Sequence, residues 1–184
     1  MIDEEKIQQL KNDIHTKERK EAREASNTLL DLGPDLCAEQ HDNLFSFYME
    51  LLENDSYDKR CIAAYALAII ERKEAVIPLF NAIFTRERTN YNGTFVYALT
   101  GLDCSEHLKD VFEILFYQGF EAKNHAYYIL CEQEFILDRE ELLEIRDKWE
   151  DLKKNPEKGV CFESTKEMIE DAVEGYLMYL DKLN

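Results

Sequence analysis

Apolar residues recur along this chain at helical spacing, and the pattern itself repeats. Val76, Leu79, Phe80, Ile83 and Phe84 stand at i, i+3, i+4, i+7 and i+8, one face of an amphipathic helix. The same five-position pattern lies 32 residues later at Leu108, Val111, Phe112, Leu115 and Phe116, and 32 residues earlier at Leu44, Phe47, Tyr48, Leu51 and Leu52. Every one of these positions is apolar or aromatic, so three helices share one register. A second set of helices alternates with them. Tyr65-Ala66-Leu67 recurs as Tyr97-Ala98-Leu99, 32 residues on, and as Tyr128-Ile129-Leu130, 31 further. Ala22, Ala25, Leu29 and Leu30 occupy the helix before the first member of the other set.

The uncharged stretch AAYALAII at 63–70 is ambiguous alone, because length does not separate a short buried helix from a strand. Its alanines favour helix. With Asp58 as N-cap and no turn residue on entry to Glu71, the expectation is a helix over about 58–71, apolar nearly all round. A period near 32 with alternating helices A and B predicts stacked helical hairpins. The units are expected at about 16–53, 58–86, 91–118 and 121–153. A leading helix is expected over 2–14 and a closing helix over about 164–183, carrying Met168, Ile169, Ala172, Val173, Tyr176, Leu177 and Leu180. Gly33-Pro34 is a helix stop, and Asn155–Gly159 is the longest loop candidate. The expected fold is all-α, an α-solenoid of about four antiparallel hairpins in one domain over 1–184.

The segment DKRCIAAYALAIIERKEAVIPLFNAIF resembles a HEAT-like repeat of the type named for phycobilisome lyases. The resemblance lies in a charged start with Arg60, a small-residue helix with Ala63, Ala64, Ala66 and Leu67, and a second helix with Ala75, Val76, Pro78, Leu79 and Ile83. Over 91–118 the charged start is replaced by Asn92, Gly93 and Thr94. The resemblance implies an α-solenoid used for binding, and implies no lyase activity or bilin. It also implies that B helices line a concave side, whose non-core positions make contact. Those positions are Phe45, Ser46, Met49 and Glu50; Ile77, Asn81 and Ala82; Lys109, Asp110, Glu113 and Tyr117; and Glu141, Glu144, Asp147 and Asp151. Carboxylates there would steer a basic partner while the aromatic groups anchor it.

Charge sharpens that picture. The chain has 184 residues and a formal net charge of −17. Residues 33–57 hold six acids and no lysine or arginine, and residues 132–184 hold sixteen acids against eight basic residues, whereas 58–131 are nearly balanced. Such acidity repels phosphate backbones and anionic membranes and suits a basic protein. Six glycines and three prolines suit helices with short connections. The apolar run Cys61–Ile70 is too short for a spanning helix of about 20 residues. The N-terminal MIDEEKIQQLKND lacks an apolar signal region, and the five scattered cysteines form no CxxC pair, so a cytoplasmic protein with reduced, mostly core thiols is expected.

Candidate chemistry adds little. The chain contains no HExxH, GxxxxGK[ST], GxGxxG or GxSxG. Glu39, His41 and Asp42, or Glu106 and His107, would need further ligands to hold a metal. His125 reads as a core histidine, and Ser164 with Glu167 as a capping box. Neighbouring acids such as Glu140-Glu141 and Glu170-Asp171 are common in so acidic a chain. No catalytic, cofactor or metal residue is assigned. The expected function is a non-catalytic protein-binding module, with an immunity or inhibitor protein against a basic toxin or nuclease as its sharper form. The alternatives are a nucleic-acid-binding protein using Arg60, Arg72, Lys73, Arg86 and Arg88, and a scaffold subunit of a larger complex.

Overall fold

A computed structural model describes residues 4–85 and 91–183, and over these the chain is helical with no strand. The contacts divide it into two compact units, Met1–Pro78 and Leu79–Asn184.

The first unit holds α1 (Glu4–Thr16), α2 (Arg19–Asp31), α3 (Ala38–Leu52) and α4 (Tyr57–Ile70). α1 packs on α2, α3 on α4, and α2 on α4. Gly33-Pro34 lies in a 3₁₀ turn, Gly33–Asp35, where proline begins the turn without a lost donor. The α3 N-terminus is closed by a capping box between Cys37 and Gln40. α4 begins one residue before Asp58, at Tyr57, and its N-cap is Ser56. Asp58 is instead free to pair with Arg19, 3.3 Å away. The helix stops at Ile70 because Glu71 turns left-handed (φ 53°) and its N–H reaches back to the Leu67 carbonyl. α4 is also less enclosed than its composition suggests. Ala63, Ala64, Ala66 and Leu67 are fully buried, but Ile69 is 50% exposed and Tyr65 36%.

The division falls within α5 (Val76–Phe84), which follows a 3₁₀ turn at Lys73–Ala75. The second unit continues with α6 (Gly93–Leu99), α7 (Leu108–Tyr117), α8 (Phe120–Glu132), α9 (Arg139–Lys154) and α10 (Phe162–Leu177). α6 and α7 both pack on α8, α7 on α9, and α10 on α7, α8 and α9. The 155–159 loop contains a 3₁₀ turn, Pro156–Lys158. A Cβ on Gly159 would stand 3.0 Å from Leu152 Cδ1 and 3.1 Å from the Phe116 carbonyl, so this loop approaches the α7 backbone closely. α10 starts two residues before the expected capping box. Its N-cap is Cys161, in left-handed conformation, and Ser164 lies inside the helix, donating to the Cys161 carbonyl at 2.9 Å.

The repeated apolar pattern is the core. Of the fifteen positions in the three shared-register helices, all but Phe84 are buried. The charged start of α4 also has a structural role. Arg60 is buried, and its Nη1 donates to the carbonyls of Asn54 and Asp55 just after α3. Thirty-two residues on, buried Asn92 donates to the Ile83 carbonyl in the last turn of α5. A further 31 residues on, fully buried Lys123 donates to the Phe116 carbonyl in the last turn of α7. Three chemically different side chains, spaced 32 and 31 residues apart, thus satisfy carbonyls at or just beyond the ends of α3, α5 and α7. Lys59 does the same for α1, donating to the carbonyls of Ile14 and Lys17.

Candidate functional site

The residues expected to form a binding face lie mainly on α7 and α9. Lys109, Asp110, Glu113 and Tyr117 project from α7 at helical spacing. With Phe84, Gln118 and Lys148 they line a groove of about 340 Å³. Charge in the groove is largely paired. Lys148 Nζ donates to Glu113 Oε2 at 2.7 Å, Lys109 pairs with Glu144, and His107 Nδ1 lies 3.0 Å from Asp110 Oδ2. Phe80 meets His107 at a tilt of 35°, with ring centroids 4.9 Å apart.

One carboxylate lies where negative charge accumulates. Burial holds the Glu141 carboxyl above its ordinary range, and Asp138, Asp110 and Glu144 add to that, while Lys109 opposes it. Asp138 is fixed there as the α9 N-cap, accepting from the Glu140 and Glu141 backbone N–H at 2.8 and 3.0 Å. Three carboxylates and a single lysine therefore act on Glu141 at this end of α9. The remaining α9 acids are committed locally. Asp147 pairs with Arg146, and Asp151 accepts from Lys158 at 2.6 Å and Asn155 at 2.8 Å, which holds its carboxyl below the usual range.

The other expected contact residues separate. Phe45 is 7% exposed and lies under Arg72, whose guanidinium carbon is 4.2 Å from the ring centroid. Tyr117 is 9% exposed and edge-on to Phe116. Both rings are part of the core rather than exposed anchors, because α3 and α7 bury more than the five-position stripe. Met49 is half-buried, and Glu50 and Asn81 are exposed. Glu50 lines a polar cavity of about 510 Å³ between α1 and α3, together with Glu4, Lys11 and His15. Lys148, which answers Glu113, went unassigned as a contact residue; opposite charges on facing helices are visible only once α7 and α9 are known to pack.

Among the described residues, the basic side chains expected to form a nucleic-acid surface do not gather into a patch. Arg60 is buried on carbonyls, and Arg72 pairs with Asp42 at 2.6 Å and Glu74 at 3.1 Å. Lys73 is exposed, and Arg86 and Arg88 lie outside the described residues. His125 is half-buried against Tyr97, with ring centroids 5.5 Å apart, and burial lowers its pKa. The thiols differ from expectation: none of the five is in a disulfide, but only Cys104 is buried, and Cys37, Cys131 and Cys161 are exposed. Among the described residues no three His, Cys, Asp or Glu side chains converge as a metal site, and no helix is long and apolar enough to cross a membrane.

No protein-family model matches the chain, and no curated protein matches it.

Proposed function

We propose that this protein is a non-catalytic interaction module that binds a basic protein partner through acidic helix faces. The observation that carries the reading is the carboxylate excess at the start of α9, where Asp138, Asp110 and Glu144 lie around Glu141 and Lys109 opposes them. The net charge of −17 extends the same bias over the surface. The sharper form is a cytoplasmic immunity or inhibitor protein that neutralises a cationic toxin or nuclease. In each unit we read HEAT-like helical hairpins. Support comes from helices that skip one neighbour to pack (α2 on α4, α6 on α8, α7 on α9) and from the carbonyl-binding position shared by Arg60, Asn92 and Lys123. Against a nucleic-acid surface stand the internal commitments of Arg60 and Arg72.

Capture of the protein from its own host tests the reading. The expected result is a basic partner whose affinity falls steeply as salt is raised from about 50 to 500 mM, because exposed charges are screened within about a Debye length. Recovery of a nucleic acid, or of a partner indifferent to salt, would sink it. A stable multi-subunit assembly would favour the scaffold alternative.

A further inference from the structure

The α8–α10 side of the second unit holds a cavity of about 520 Å³ that no acidic-face argument anticipates. Its walls include the rings of Phe135, Tyr176 and Tyr179 and the carboxylates of Glu134 and Asp171, and among the described residues lining it none is basic. The rings are held in place. Tyr176 donates its hydroxyl to the Leu130 carbonyl at 2.8 Å and meets Phe112 and Phe135 edge-on, at 5.4 and 6.0 Å. Asp171 is fixed by the Tyr127 hydroxyl, 2.5 Å away. Aromatic faces backed by carboxylates attract a cation, and the molecule supplies an internal example, since Lys182 Nζ lies 4.9 Å from the Tyr179 ring centroid.

The opening of the cavity has its own signature. Gly175 lines it from within α10. Glycine weakens a helix, and nothing here demands it: its φ is not positive, and a Cβ would meet no atom within 4 Å. Gly175 is exposed, and a side chain there would extend into open space at the cavity wall.

We propose that this cavity is the pocket that receives an arginine side chain of the basic protein partner. This rests on the reading of a basic partner given above. Arginine fits better than lysine, because its planar, weakly hydrated guanidinium stacks on rings and offers several donors to two carboxylates at once.

The test uses the full chain, with acetyl-triarginine amide as probe and its citrulline counterpart as the uncharged control, followed by calorimetry and by NMR shifts. The wild type should bind triarginine with shifts at Phe135, Tyr176 and Tyr179, and citrulline at least tenfold more weakly. Gly175→Leu should fill the cavity and reduce triarginine binding at least tenfold, with an unchanged or raised melting temperature. Tyr179→Ala should weaken binding in the same direction if the leucine variant folds poorly. Triarginine binding undiminished in both variants would overturn the pocket while leaving the acidic-face reading intact. Failure of the wild type to bind triarginine or any basic protein at low salt would remove both. Spermidine binding as tightly as triarginine would make this a polyamine site and overturn the protein side-chain assignment.

Discussion

Lys123 is a cation held between a backbone carbonyl and a hydroxyl inside the second unit. Its side chain is fully buried, donating to the Phe116 carbonyl at 3.1 Å and Thr165 Oγ1 at 3.3 Å. Burial pushes its ammonium from 10.5 down to about 8. Between those values the unfolded chain holds a proton that the folded chain has released. Stability therefore rises with pH across that window, and the cost of the buried charge is fully present below it. The shift corresponds to about 3 kcal/mol at most. Denaturation of wild type and Lys123→Met from pH 7 to 10 should show the wild type gaining on the variant as pH rises. Parallel curves would show that the charge is not buried. The comparison must be between variants, because the Cys104 thiol, pushed up to about 12, opposes the trend, as do buried Tyr48 and half-buried Tyr176. At the same scale, Asn92→Ala removes donors to both Ile83 and Gln118 and should cost about 1–3 kcal/mol in chemical denaturation. A negligible loss would mean that water replaces the amide.

At the scale of elements, α7 and α9 face each other with opposite charges in contact. The Glu113–Lys148 and Lys109–Glu144 pairs are partly exposed, so each should contribute less than about 1 kcal/mol to stability. Their effect on binding should be larger than their effect on folding. Lys109→Met with Lys148→Met unmasks two carboxylates and should speed association with a basic protein. Glu113→Gln with Glu144→Gln should slow it. Stopped-flow association at low salt reads both; equal rates in the two double variants would remove this face from the interaction. The boundaries of these elements were legible to within a few residues. The misses have local causes. Glu71 ends α4 early through a left-handed residue that no glycine announces. α6 stops at Leu99 because Thr100 and Gly101 turn, with Thr100 Oγ1 donating to the Tyr97 carbonyl. α10 ends at Leu177, and Leu180–Lys182 form a separate 3₁₀ turn.

Over the whole molecule the acidity is a titratable property. With a sequence pI near 4.6, the surplus charge shrinks as pH falls from 7 towards 5. Affinity for a basic partner should fall in parallel, since carboxylates at the surface are losing their charge. Binding measured across that range at constant salt checks this, and a flat profile would show that uncharged contacts dominate.

What the sequence determined alone is the helical class and the core. A stripe at i, i+3, i+4, i+7 and i+8 has only one way to be buried together, so Leu44, Val76 and Leu108 and their followers, Phe84 apart, lie inside. The contact residues were less legible, because exposure depends on which helices meet. Phe45 and Tyr117 occupy non-stripe positions yet are covered. Tyr65, Tyr97 and Tyr128, members of the recurring A-helix motif, instead stand between 36% and 52% exposed. Only the tertiary structure decided that Lys148 answers Glu113, and that Phe135, Tyr176 and Tyr179 enclose a cavity with Asp171. Those partners lie far apart along the chain, and no periodicity encodes a contact that exists only after packing brings two faces together.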